Sequence, residues 1–296
     1  MFSNTRRSIN LVLFFIAGII CLAGGILLIY LRAAQTVSGS SVIAPTENWE
    51  TKLPQSFIIA SPVITITPSL LIDIPTQTPS VLPLPPERRG LITNGDRTTN
   101  KVALTFDVCQ AEGDLSGYDA EIVRVLIEHN ASATFFLGGT WIRDHPENAK
   151  ELAQNPLFEL GNHSWSHADF TSIDTRKMLQ EIELAQDQLF QLTGNQNLLF
   201  RLPYGFYTDE ALSFIGENGL YTIQWDVVSG DPDPNIFAPA MVDWVLQQVQ
   251  PGSIIIMHAN GRGWHTAEAL PILIQSLRDQ GYTLVTISDL LNIQPP

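Results

Sequence analysis

A chain of 296 residues, 45% hydrophobic and 16% charged, can bury one sizeable core, which excludes a fibrous or wholly disordered protein. Its formal net charge is −14, unevenly spread: the first 32 residues hold three arginines and no acid, leaving 13 basic against 30 acidic residues, a net of −17, for the rest. A surface of that sign repels nucleic-acid phosphates and argues against a nucleic-acid partner.

Residues 1–10 form a short N-terminus carrying Arg6 and Arg7, and residues 11–31 are almost wholly apolar and uncharged. At about 1.5 Å per residue this run spans roughly 30 Å, the thickness of a bilayer's hydrocarbon core. It is too long for the apolar region of a signal peptide, and "LRAAQT" is a weak cleavage site. The bulky Ile20 before Cys21 speaks against lipidation of that cysteine. Two arginines precede the run and Arg32 alone follows it, so the positive-inside bias leaves the N-terminus in the cytoplasm and the remainder outside. The expectation is a single-pass, uncleaved anchor in the cell membrane with an extracellular domain beyond it. Cys21 in the anchor and Cys109 far downstream predict no internal disulfide, which makes Cys109 a lone thiol outside the cell.

Residues 32–98 hold nine of the nineteen prolines, interleaved with Ser and Thr, and read as a semi-rigid linker. Residues 99–296 are one domain in size. "KVALTFD", "ASATFFL", "LFELGNHS", "LLFRLP", "YTIQWDVV", "SIIIMH" and "YTLVTI" are strand text, and helical text separates them. The longest helix runs from Asp174 as N-cap to Gly194 as its stop. Seven continuous apolar strands alternating with helices predict an α/β fold, a parallel sheet closed into a (β/α) barrel.

In such barrels chemistry collects at the carboxyl ends of the strands. Here those ends carry Asp107, then His163 and His167, then Arg201 and Tyr204, then Asp226 and Asp231, and finally His258. A lone H-x-x-x-H is more often a polar turn than a metal site. Five strands ending in ionisable or hydrogen-bonding groups favour the metal pair.

The ordered motifs TFD, HSWSH, RLPYG, SGD and a strand ending in MH resemble the polysaccharide deacetylase family, the NodB-homology domain of carbohydrate esterase family 4. The resemblance spans Lys101 to about Leu291. It implies a distorted (β/α) barrel and a divalent metal, commonly zinc, serving removal of acetyl groups from N-acetylated sugars of cell-wall or extracellular polysaccharide by attack of metal-bound water. It assigns His163 and His167 as metal ligands, Asp107 as base, Arg201 as the base's ion partner, and the backbone N–H of Tyr204 as oxyanion donor. His258 becomes the general acid and Asp231 the carboxylate that keeps it charged. Trp225, Trp264 and Ile256–Met257 are candidates for a sugar platform or acetyl pocket.

One position departs from the pattern. The family's first motif has two adjacent aspartates, base then ligand, and the second is Val108 here. Asp119, Asp114, Cys109 and Asp107 itself can each take its place. A carboxylate, Asp119, is preferred, because a thiolate donates more charge and weakens Lewis acidity. Pro232 stands where the family often has Trp, which alters one wall of the groove. The competing expectation is a silent carbohydrate-binding domain that lost its metal through Val108.

Overall fold

The structure, a computed structural model, describes residues 82–110 and 116–294. The anchor expected over 11–31 and most of the linker lie outside the described residues. Among the described residues no helix is long and apolar enough to cross a membrane.

The strands are β1 (Leu91–Ile92), β2 (Lys101–Val108), β3 (Ala133–Leu137), β4 (Phe158–Asn162), β5 (Leu199–Phe200), β6 (Tyr221–Ile223), β7 (Val227–Val228), β8 (Ile254–His258) and β9 (Thr283–Leu284). The helices are α1 (Ala120–Glu128), α2 (Gly139–Asp144), α3 (Pro146–Gln154), α4 (Thr175–Thr193), α5 (Asp209–Glu217), α6 (Ala238–Gln248), α7 (Thr266–Asp279) and α8 (Ile287–Leu291). The sheet runs β1-β6-β5-β4-β3-β2-β8-β7, with β9 beside the start of β2, and its paired strands are parallel. Among the described residues the path has two ends, β1 and β7, so the expected barrel is a curled half-barrel.

Period-two alternation sorts each strand between two cores. In β2, Val102, Leu104, Phe106 and Val108 enter the outer cluster, which also holds Leu126 of α1 and Leu273 of α7. Ala103 enters the inner cluster with Phe136, Ile223 and Ile254, capped by Ile287 and Leu290 of α8. Thr105 and Asp107 share the parity of Ala103, so Asp107 reaches the mouth of the curl along its inner face.

Three sequence expectations change. Residues 82–98 belong to the domain rather than the linker. Leu84 is buried in the inner cluster, its N–H donates to Gly216 O at 2.8 Å, and β1 pairs with β6. "YTLVTI" is a strand only over Thr283–Leu284, because Thr286 caps the Asp289 N–H and starts α8. "YTIQWDVV" divides into β6 and β7, which puts Asp226 at the start of β7, away from the mouth. There it pairs with Arg97 at 2.7 Å and accepts from the Ile254 N–H at 2.8 Å.

Candidate active site

The mouth is built where β2, β4, β5 and β8 end. Register pairs Asp107 of β2 with His258 of β8, so both side chains face the same side, about one interstrand spacing of 4.8 Å apart. Arg201, fully buried just after β5, donates from Nη1 to Asp107 Oδ1 at 2.8 Å. Its Nε and Nη2 donate to the carbonyls of Ile223 and Gln224, both at 3.3 Å, and its guanidinium lies 4.0 Å from the centre of the Phe136 ring. These contacts fix the planar fork in one orientation. Burial pushes the Asp107 carboxyl up, but His163, Arg201 and His258 outweigh it and hold it below the ordinary value of 3.8.

His163 follows β4 and is buried. Its Nδ1 lies 2.9 Å from Arg201 O, which places the ring proton on Nδ1 and the lone pair on Nε2. That Nε2 is 3.5 Å from Asp107 Oδ2. The loop to His167 turns tightly, with Ser164 and His167 at φ 64° and 59° in the left-handed region. Asn162 Oδ1 accepts from the Ser164 N–H at 2.8 Å. Glu181 of α4, fully buried, accepts from the N–H and Oγ of Ser166 at 2.7 and 2.8 Å. Below the loop Trp165 lies on Gly139, where an added Cβ would stand 2.2 Å from Trp165 Cε3. Burial pushes the His163 imidazole down, and burial with the neighbouring His163 pushes His167 to about 3. Both shifts favour the neutral imidazole, the form that metal ligation needs.

Cys109, immediately beyond β2, joins this pair. Its Sγ and one ring nitrogen from each of His163 and His167 lie within 4.8 Å of one another. Asp119, the preferred third ligand, is not in that group. It occupies the N-cap position of α1 and its Oδ2 accepts from the Gly261 N–H at 2.8 Å, which holds the loop after β8. Burial raises its pKa above the ordinary 3.8. Asp114 lies outside the described residues. Two imidazoles and a thiol, with their donor atoms this close together, fit a divalent ion by donor type and number.

His258 ends β8 with Nδ1 2.9 Å from Asp231 Oδ1, while its own N–H donates to Asp231 Oδ2 at 2.6 Å. Ser229 Oγ and Thr266 Oγ1 each donate to Asp231 at 3.0 Å, so the buried carboxylate is fully bonded. Burial pushes His258 down, but its hydrogen bond and charge contact with Asp231 prevail and hold it above 6.5. Tyr204 sits at φ 61°, ψ −6°, with its half-exposed ring 4.4 Å from that of His167. Trp225 lies 5.5 Å from the Arg201 guanidinium, and Trp264 is exposed on the loop after β8. Met257 packs in the outer cluster.

The structure thus brings together Asp107, His163, His167, Arg201, Tyr204, Asp231 and His258, and leaves Asp119 aside. Glu181, Asn162 and Thr266 are the supporting residues the motifs do not reveal. Glu181 carries a signal: it shares the apolar face of α4 with Met178, Ile182 and Ala185, where an acid needs a buried partner.

Residues 94–223 match the family model described as polysaccharide deacetylase. The peptidoglycan-N-acetylmuramic acid deacetylase PdaA of Bacillus subtilis is 30% identical over 200 residues, 67% of this chain and 73% of that one. The chain belongs to the polysaccharide deacetylase family. It is a hydrolase acting on amide bonds, in line with the relatives named peptidoglycan deacetylases. Among solved structures, that of Bacillus subtilis PdaA, a family 4 carbohydrate esterase, is similar with a TM-score of 0.61 at 28% identity, covering 69% of this chain and 86% of that one. A family 4 pseudoenzyme from Bacillus anthracis is similar with a TM-score of 0.60 at 27% identity, covering 68% and 69%. Both halves of the deacetylase motif set, the Asp107–Arg201 pair and the His258–Asp231 pair, therefore sit on the fold the family uses.

Proposed function

We propose that this chain is a metal-dependent N-deacetylase acting outside the cell on N-acetylated sugars of cell-wall polysaccharide. The observation that carries the reading is the pairing of two oppositely tuned groups on adjacent strands. Asp107 is held ionised by Arg201, and His258 is held protonated by Asp231, beside a group of metal-ligating side chains. His163, His167 and a third ligand would hold a divalent ion, which would supply a lowered water pKa and polarisation of an acetamide carbonyl. The remaining work falls to the protein. Asp107 takes the proton from the attacking water as the carbon–oxygen bond forms. The backbone N–H of Tyr204 faces the oxygen on which charge develops. His258 gives its Nε2 proton to the nitrogen as the carbon–nitrogen bond breaks, releasing acetate and a free amine.

A cell-wall substrate is supported by the similarity to PdaA and to a Bacillus cereus peptidoglycan-N-acetylglucosamine deacetylase, 29% identical over 195 residues. The half-exposed Tyr204 and Tyr207 and the exposed Phe206 and Trp264 offer faces on which sugar rings stack. The apolar run at 11–31 supports placement outside the membrane.

The similarity to a pseudoenzyme and the valine at 108 favour a second reading, a silent glycan-binding domain. A binding module has no use for a base and an acid each locked to its own counter-ion. The test is acetate release from peptidoglycan and from N-acetylglucosamine oligomers, with the metal-stripped protein reloaded with zinc, cobalt or manganese. Release that a chelator abolishes supports the enzyme. No release with any ion, alongside retained glycan binding, would establish the silent module.

A further inference from the structure

The third ligand is decided by where β2 stops. Val108 is still in register, opposite Leu137 of β3, and its side chain is buried among the helix-facing residues. No side chain at 108 in this backbone points to the mouth. The next residue, Cys109, has the parity of Asp107 and returns to the inner face. We propose that Cys109 replaces the family's aspartate from one position further along the chain, making a Cys109–His163–His167 centre that selects thiophilic divalent ions such as zinc and cobalt over manganese, magnesium and calcium. The proposal rests on the reading of the site as a metal site.

Geometry supports it. The three donor atoms lie within 4.8 Å of one another. Tetrahedral zinc, with bonds of about 2.3 Å to sulfur and about 2.0–2.1 Å to nitrogen, needs donors roughly 3.5 Å apart, a contraction that side-chain torsions supply. The cysteine is held rather than loose. Its carbonyl accepts from Asn260 Nδ2 at 2.7 Å and from Ser116 Oγ at 2.5 Å, and the same Asn260 Nδ2 lies 3.7 Å from Sγ. Asn260 is buried and sits two residues beyond His258, so one side chain ties the sulfur to the loop that follows the general acid. An amide N–H facing a metal-bound thiolate draws off part of its charge, which offsets the loss of Lewis acidity that sulfur brings.

Chemistry then sets the selectivity. A thiolate and a carboxylate carry the same charge, so the net charge of the site is unchanged. Thiolates favour zinc and cobalt, whereas carboxylate sites suit manganese, magnesium and calcium.

The experiment uses the purified full-length chain, stripped with a chelator and titrated with cobalt(II) and with zinc. Cobalt bound at one equivalent should give a near-ultraviolet sulfur-to-cobalt charge-transfer band. Zinc should shield Cys109 from iodoacetamide, with mass mapping to separate it from Cys21. Cys109→Ser should weaken zinc by more than about 100-fold, since even the loss of an outer-shell partner costs about 10–100-fold. Cys109→Asp should still bind a metal, lack the band, and shift the zinc-over-manganese preference toward manganese by at least about 10-fold. A wild-type cobalt complex without the band, or alkylation unaffected by zinc, would overturn the assignment, and neither depends on how a variant folds. Metal-dependent acetate release without the band would sink the ligand assignment alone. A thiolate–cobalt complex that releases no acetate would leave the assignment standing and remove the catalytic reading.

Discussion

Asp107 and His258 are register partners on β2 and β8, and each is bonded to a buried counter-ion of its own, Arg201 at 2.8 Å and Asp231 at 2.9 Å. The two environments push the pair apart, the carboxyl below 3.8 and the imidazole above 6.5. In the roles proposed for them, Asp107 as base and His258 as acid would both hold their working forms between those values.

The pH profile follows from the signs. Asp107 must be ionised, so kcat/KM falls as pH drops through its depressed pKa. His258 must be protonated, so kcat/KM falls as pH rises through its elevated pKa. Asp231→Asn removes the group that raises His258, and should move the alkaline limb to lower pH while leaving the acid limb in place. An alkaline limb that does not move would take the acid role away from His258.

Asp107→Asn should keep the fold and the zinc, because the ligand group of Cys109, His163 and His167 does not include it. Acetate release should drop by about 10²–10⁴-fold, the usual contribution of a positioned general base. Zinc content and acetate release measured on the same sample separate the two effects. Unchanged release would remove Asp107 from the mechanism.

Much of this was legible in the sequence where local chemistry decides the structure. Asp174 does cap α4, accepting from the Lys177 N–H, and Gly194 does end it at φ 69°. Asp107, His163, Arg201 and His258 were readable as neighbours because each ends or directly follows an apolar strand. Legibility failed where tertiary context decides. Thr283–Leu284 and Ile287 were one apolar run until Thr286 capped a helix inside it. Asp226 read as a strand end because nothing local shows that β6 stops at Ile223. The place of Cys109 beside the two histidines was obscure for the same reason: which of residues 108 and 109 faces the mouth depends on how far β2 stays paired with β3.

Glu181 should act on the metal without touching it. Its carboxylate holds the Ser166 N–H and hydroxyl, and so the turn that presents His167. Glu181→Ala leaves three donors, the Ser166 N–H and hydroxyl and Lys177 Nζ, without their acceptor, at a cost of about 1–3 kcal/mol for each of the two less exposed Ser166 groups. Zinc affinity should fall by about 10–100-fold, as for other residues that orient ligands. Glu181→Gln, which keeps one acceptor oxygen, should recover part of it. Equal zinc affinity in all three proteins would show that the turn holds itself.

Gly139→Ala tests the same loop from below. Its Cβ would stand 2.2 Å from Trp165 Cε3, and the ring is part of the HSWSH turn. Overpacking of this kind costs about 1–3 kcal/mol. Thermal unfolding should fall accordingly, and zinc affinity with it where the displaced ring shifts the turn that carries His163 and His167. A normal melting curve would mean that the turn has slack.

The most discriminating substitution is Val108→Asp, which recreates the family's paired aspartates. If only the residue type were missing, this change would restore the usual ligand and raise affinity for manganese. The structure predicts the opposite. Val108 is fully buried in the outer cluster with Phe106 and Leu126, on the face of β2 turned from the mouth. A carboxylate there has no partner and must be buried protonated or force β2 out of register, either way a loss of several kcal/mol. Val108→Asp should therefore lower the denaturation midpoint sharply and leave metal preference unchanged, whereas Cys109→Asp should do the reverse. Urea titration and zinc–manganese competition on both variants read the two outcomes side by side. A stable Val108→Asp protein with gained manganese affinity would show that β2 ends one residue earlier, at Asp107, and that position 108 can reach the ion.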